Sequence, residues 1–567
     1  MHYKIYVSDR HYNEYIIYNA QTMKRLEEYP ELNPLRDKLL NCDIFTISEN
    51  KKAKIVHSPN RESQFISGVL VLQGNKTYGK FKNKYFYRCI PDDKRLPEFL
   101  IPYKVQVSFR KHQVNKYVVF KFSSWRKKHP VGSLQITIGN VDELSSFYEY
   151  QMYCNSLYAS ISNLTKQTKK MLKLHSEEYY REKIMQQHNI IDRTDWNIIT
   201  IDSEGSKDLD DAIGYKEIDE LTSMVSIYIS NVVFWFEALD LWSSFNNRIA
   251  TIYLPDRKRP MLPTRISDDI SSLLENQKRF AFTIDIIINK ESGEIISYSY
   301  CNSLIKVTNN LRHKSEMLHN NPMYCEMTNI AQKMNKKKIY LDSVMSSHEV
   351  VSYFMVLMNY LTAKKMTKHQ KGIYRFAKTN NDYIVPDNTP KEVAKFLKIW
   401  HSMGGQYCKY EQCEEHDMLK LESYLHITSP NRRLVDMLNM IVFQDVMGIV
   451  SFTDTSRAFY NKWVTNESIE YINNSMKSIR KVQSDCKLLN ICYKDTRLTK
   501  KEIQGYIFDK LVRNDNLFQY IVYIPSLKMT NRFTTTENLE NLSTHKFKIY
   551  IFMDEIHLKQ KIRLLLI

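Results

Sequence analysis

Glycine accounts for only 13 of 567 residues, and no glycine-rich or proline-rich tract interrupts the chain. No apolar run approaches the roughly 18 residues of a membrane span. The opening Met1-His-Tyr-Lys-Ile-Tyr6 has none of the features of a signal peptide. These absences argue against a membrane-spanning helix and make an intracellular, soluble protein with no membrane partner the expectation. Its place is the cytoplasm, with the nucleus open as an alternative. The nine cysteines are scattered, which suits a reducing compartment rather than a disulfide framework. Cys408, Cys413 and His416 are the only group with loosely metal-like spacing. C-x₄-C without an evident fourth ligand is a poor zinc signature, so they read as free thiols. No internal repeat is strong enough for a solenoid.

Negative charge is also in deficit: 81 Lys+Arg stand against 63 Asp+Glu, a net charge of +18. So basic a chain points to a polyanionic partner, although basic faces are often only solvation. Its length exceeds the roughly 250–300 residues at which single cores stop growing, so several domains are expected.

Short apolar alternations at Tyr3–Val7 and Glu14–Tyr18 predict a small β-rich unit. Gly68–Leu72, the turn pair Gly74-Asn75 and Thr77–Phe81 predict a hairpin. Lys116–Phe122 and Leu134–Ile138 are strand-like, and together these segments fit an OB-type barrel. A polar helical connector follows, ending in Glu177–Lys183. Long helices are predicted over Glu349–Met366 and from Asn431 to about Phe452, the latter with Ser429 as N-cap and Pro430 at its first position. Ile503–Phe508, Gln519–Ile524, Lys546–Phe552 and Ile562–Ile567 predict a closing barrel.

Against this background one stretch is anomalous. Asp202-Ser-Glu204-Gly-Ser-Lys-Asp208-Leu-Asp210-Asp211 packs five acids into ten positions, after a strand-like Asn197–Ile201. Like charges so close raise one another's pKa unless a cation joins them, and oxygen-only ligands favour Mg²⁺ or Mn²⁺ over zinc. Taken alone, a solvated acidic loop is the blander reading.

Ile201–Ile213 resembles the signature of the ribonuclease II/R family, which includes the exosome's catalytic exonuclease subunit. Tyr253-Leu-Pro-Asp-Arg-Lys-Arg-Pro-Met-Leu-Pro263 with Ser267–Leu273 is similar to the family's next block. Tyr424-Leu-His-Ile-Thr-Ser-Pro-Asn-Arg-Arg433 with Asp436 and Leu438 is similar to the block that opens its last active-site helix. Asp92–Pro97 and Ser124–Arg126 resemble the second cold-shock domain of eukaryotic-type members. The chain reads as lacking the amino-terminal endonuclease domain of the exosome form.

The resemblance implies a multidomain chain, an α/β catalytic RNB domain flanked by OB-type barrels, two cold-shock-like before and one S1-like after. The expected ranges are 1–60 and 61–150 for the cold-shock-like domains, 151–190 for the connector, 191–480 for the RNB domain and 481–567 for the S1-like domain. It implies a monomeric 3′→5′ exoribonuclease that hydrolyses single-stranded RNA to 5′-nucleoside monophosphates by two-metal-ion catalysis with Mg²⁺ or Mn²⁺. By position, Asp202, Asp208, Asp210 and Asp211 become metal ligands, with Asp210 and Arg432 catalytic. Tyr253 becomes the residue that stacks on the terminal base, with Arg433, Asn359 and Glu349 also on the substrate.

The sequence departs from the family at three places. Ser352-Tyr353 stand where a Glu-Glu pair is usual, a pair of which one member reads the ribose 2′-hydroxyl. Asn231 replaces an Asp and Met440 a His. A non-catalytic RNA-binding relative and an exonuclease with relaxed RNA/DNA discrimination are the alternatives.

Overall fold

The computed structural model describes the chain apart from residues 27–31, 49–50, 106–112, 338–339, 380–384, 387–388, 496 and 514. It divides into two compact units: Met1–Tyr158, Leu254–Asp256 and Arg480–Ile567 form one, and Ala159–Tyr253 with Arg257–Ile479 form the other.

The first unit is built mainly of antiparallel β-structure, with one parallel pairing between Val131–Asn140 and Phe99–Tyr103. Strands Tyr15–Asn19, Tyr3–Val7, Ile44–Ile47 and Ala53–His57 make a four-stranded sheet over Ile5, Ile17, Leu39 and Phe45. In the next sheet Ile66–Leu70 pairs with Lys116–Ser124 on one edge and Lys84–Pro91 on the other. Val131–Asn140 and Phe99–Tyr103 complete the circuit, which closes a barrel. Phe99 and Phe120 meet inside it with centroids 4.9 Å apart.

That closure corrects the hairpin expected at Gly74-Asn75. Both residues do turn with positive φ, but the slot beside Ile66–Leu70 is taken by Lys84–Pro91. The hairpin turn falls instead at Lys82-Asn83, between Lys80–Phe81 and Lys84–Pro91. The C-terminal sheet runs Met529–Thr535, Phe518–Ile524, Ile503–Val512, Thr544–Asp554, Lys559–Leu566, all antiparallel. Its two outer strands lie against each other around Tyr520, Phe533 and Phe547. The architecture is thus a multidomain one in which OB-type barrels accompany an α/β domain.

That α/β domain, the second unit, has a seven-stranded mixed sheet. Its order is Ile190–Arg193, Ile295–Lys306, Lys278–Asn289, Thr222–Ser230, Asp211–Glu217, Ile198–Asp202, Asn309–Arg312. Helix Leu434–Val446 is buried from Leu434 through Gln444, as an all-round apolar helix must be. Its Phe443 packs on Tyr300 and Phe282 of the sheet at 4.6 and 5.4 Å.

The helix begins three residues later than Asn431. Arg433 forms a β-bridge with Ala250, Thr251 N–H donates to the Arg432 carbonyl, and Leu434 N–H donates to that of Ile249. Extended backbone in such a ladder cannot also be helical. Arg433 is therefore the N-cap, and Ser429 N–H instead donates to Asp436 Oδ1. The C-terminus falls at Val446, just before Gly448 with φ +66°. Among the described residues no helix is long and apolar enough to cross a membrane.

Candidate active site

Strand Ile198–Asp202 brings Asp202 to its end, level with Arg312 on the parallel strand Asn309–Arg312. Gly205, with φ +81°, turns the chain, and Asp211 opens the next strand. Between them Leu209 is 2% exposed. Its N–H donates to Ser272 Oγ and its carbonyl accepts from Leu273 N–H, both at 3.0 Å. Ser230 N–H donates to the Asp210 carbonyl at 2.8 Å. A buried leucine and its backbone clamps therefore fix Asp208 and Asp210 on either side.

The two carboxylates meet different partners. Asp208 accepts the Tyr253 hydroxyl at 2.7 Å and Lys258 Nζ at 2.8 Å. Lys258 also donates to Asp268 at 2.9 Å. Asp210, fully buried, accepts Asn431 N–H at 2.9 Å on Oδ1, and its Oδ2 lies 3.0 Å from Arg432 Nε. Arg432 remains 42% exposed on its side chain and is steadied by Ser429 Oγ at 3.1 Å.

These partners divide the cluster electrostatically. Burial, then the neighbouring Asp211, pushes the Asp202 carboxyl up to about 7. Burial pushes Asp210 up to about 8, against the pull of Arg432 and the Asn431 N–H. Asp211 also rises through burial. At Asp208 burial is outweighed by hydrogen bonds from Lys258 and Tyr253, which hold it below the ordinary carboxylate range. Asp202 Oδ2 is buried with no hydrogen-bond partner, and Asp210 Oδ2 has only the arginine's charge.

Among the described residues no three His, Cys, Asp or Glu side chains already stand spaced around an ion. The donor set nonetheless suits one. Buried oxygens that lack a partner and carboxyls that resist ionising both call for a hard divalent cation, which Asp202, Asp210 and Asp211 would hold.

Three residues expected on the substrate are otherwise engaged. Arg433, half-buried, donates to the fully buried Asp436 Oδ1 at 2.8 Å. Asn359, 3% exposed, accepts Ile427 N–H at 2.9 Å and donates to the Tyr424 hydroxyl at 3.0 Å. It fastens helix Ser347–Thr367 to the segment leading to Arg432. Glu349 sits in a capping box: its Oε2 accepts Met345 N–H, Ser346 N–H and Ser346 Oγ, and its Oε1 accepts Ser343 Oγ. Those bonds hold its carboxyl down at about 2. Ser352 is exposed, and Tyr353 is buried against Tyr340.

The other two departures are buried as well: Asn231 donates to Asn302 and Gln444, and Met440 lies in the core. Sequence reasoning gave no role to Lys258, Asp268 or Asn431. The signal was a basic residue inside the second block, whose acidic partner lay in the first.

Residues 190–315 match the RNB domain and residues 86–149 the Dis3-like cold-shock domain 2. Ribonuclease R of Ureaplasma parvum is 31% identical over 176 residues, 31% of this chain and 23% of that protein. The chain spans only about a quarter to a third of the length of the first curated relatives it matches. Among solved structures, Mycoplasma genitalium RNase R in complex with ribose methylated single-stranded RNA aligns over 100% of both chains. Its identity is 16% and its TM-score 0.69. Yeast Ssd1, a pseudonuclease, covers 97% of this chain and is itself 80% covered, at 14% identity and TM-score 0.59. The resemblance to the ribonuclease II/R family holds, and residues 190–315 of the α/β domain are the part that matches the RNB domain.

Proposed function

We propose that the chain is a divalent-cation-dependent 3′→5′ exoribonuclease that shortens single-stranded RNA to 5′-nucleoside monophosphates, acting as a cytoplasmic monomer. One observation carries the reading: Arg432 lies against Asp210, which unites the first and third sequence blocks in one charged locus.

A bound Mg²⁺ or Mn²⁺ supplies an activated water and charge stabilisation for the leaving 3′ oxygen. The chain's own part is to position the substrate. Arg432 offers a half-exposed guanidinium to a phosphate beside Asp210, where charge develops during displacement. Tyr253, 44% exposed, offers a ring on which the terminal base can stack whatever its identity. Its hydroxyl bond to Asp208 fixes that ring relative to the acids. The names of the matched ribonuclease R proteins support the same activity.

A second reading, a non-catalytic RNA-binding protein, is favoured by the likeness to a pseudonuclease and by Ser352-Tyr353. One assay separates them: 5′-labelled RNA and matched DNA, with free and blocked 3′ ends, incubated with Mn²⁺. Stepwise shortening of free-ended RNA is the expected result. Binding without shortening would favour the second reading. Equal loss of DNA would remove the restriction to RNA.

A further inference from the structure

Asp208 and Asp210 both face a cationic side chain, but Asp210 Oδ2, 3.0 Å from Arg432 Nε, makes no hydrogen bond, whereas Asp208 is bonded through both oxygens. Both oxygens of Asp208 are occupied, Oδ2 by the Tyr253 hydroxyl and Oδ1 by Lys258 Nζ. The same ammonium reaches Asp268 Oδ1 at 2.9 Å, and Ser267 Oγ donates to that oxygen at 2.6 Å. Lys258 is thus held between two carboxylates whose side chains are only 8% and 13% exposed. Asp202 has a buried oxygen with no partner. An ammonium bound this closely repels any further cation from the oxygens it holds.

We infer that Lys258 is a built-in cation that replaces one divalent ion of the acidic site. Asp208 is then not a metal ligand, and the chain takes a single divalent ion on Asp202, Asp210 and Asp211. The inference specifies the charge make-up of the site in the proposed function. The second block, by carrying Tyr253, Lys258 and Asp268, supplies both the base-stacking ring and the fixed positive charge.

Mn²⁺ binding to the full chain without RNA tests it, counted by titration calorimetry and by the loss of the free-ion paramagnetic signal. The wild type should bind one Mn²⁺. Asp208→Asn should change its affinity by less than about twofold, whereas Asp202→Asn should weaken it at least about tenfold. Lys258→Met frees Asp208 and should admit a second Mn²⁺, and Lys258→Arg should restore a count of one. Thermal melts identify any variant that fails to fold, in which case Asp208→Asn against Asp202→Asn decides.

Two ions on the wild type, or equal losses in the two aspartate variants, would overturn the inference. No bound Mn²⁺ would overturn it together with metal dependence. One bound Mn²⁺ without RNA shortening would overturn only the exoribonuclease activity.

Discussion

The acidic loop at 202–211 and the start of helix Ser347–Thr367 both carry carboxylates that the sequence motifs assign to metal or substrate, yet the fold uses them in opposite ways. At the helix start Glu349 spends its oxygens on four donors, and its carboxyl is held down at about 2. In the loop Asp202 and Asp210 are buried, under-paired and pushed up to about 7 and 8. A satisfied carboxylate stabilises the fold, whereas a buried one short of partners raises the folding cost and persists where a ligand later supplies the charge. Sequence position alone cannot separate the two cases, because each acid stands within reach of a family motif.

The comparison is broken most severely at Asp210. Asp210→Asn should reduce RNA shortening to below about 10⁻³ of wild type while RNA affinity stays nearly unchanged. Equal loss of binding, measured by fluorescence anisotropy, would make Asp210 structural. Arg432→Ala should lower kcat by about 10²–10³ with a smaller change in KM; an equal loss of both would reduce Arg432 to a tether.

A pH titration of stability sharpens the same contrast. Asp202 and Asp210 have folded pKa values raised above the unfolded value of about 4. The native state therefore holds protons that the unfolded chain has released, and metal-free stability should fall as pH rises from about 4 to about 8. Mn²⁺, which competes with those protons, should raise the melting temperature more at pH 8 than at pH 6. Asp202→Asn should flatten the slope, as differential scanning fluorimetry would read. The smallest effect belongs to the helix start: Glu349→Ala should cost about 1 kcal/mol in denaturant melts. It should leave the RNA-to-DNA preference unchanged, and a change in that preference would return Glu349 to the substrate.

What the sequence made legible was local. Alternation over Asn197–Ile201 pointed to the strand Ile198–Asp202, and an apolar side over Glu349–Met366 to the helix Ser347–Thr367. The blocks named Asp202, Asp210, Tyr253 and Arg432, which the fold gathers into one unit. What escaped depended on distant chain. The helix expected from Asn431 starts at Leu434 because residues 249–251 claim its first backbone groups. The hairpin at Gly74-Asn75 lost to Lys84–Pro91, whose strand order no local turn pair encodes. Lys258 became meaningful only when Asp208, fifty residues earlier, met its ammonium.

The ladder that delayed that helix has a consequence of its own. Residues 249–251 are bonded to residues 432–434, and Tyr253 follows two positions later. The ring offered to a base and the guanidinium offered to a phosphate therefore hang from one stiff crossbar, like the jaws of a calliper. In the proposed reaction the distance between a strand's last base and its cut would be gauged by backbone pairing, with no need to recognise the base. Thr251→Pro, which removes the N–H bonded to the Arg432 carbonyl, would blur where the strand is cut before it slowed the cutting.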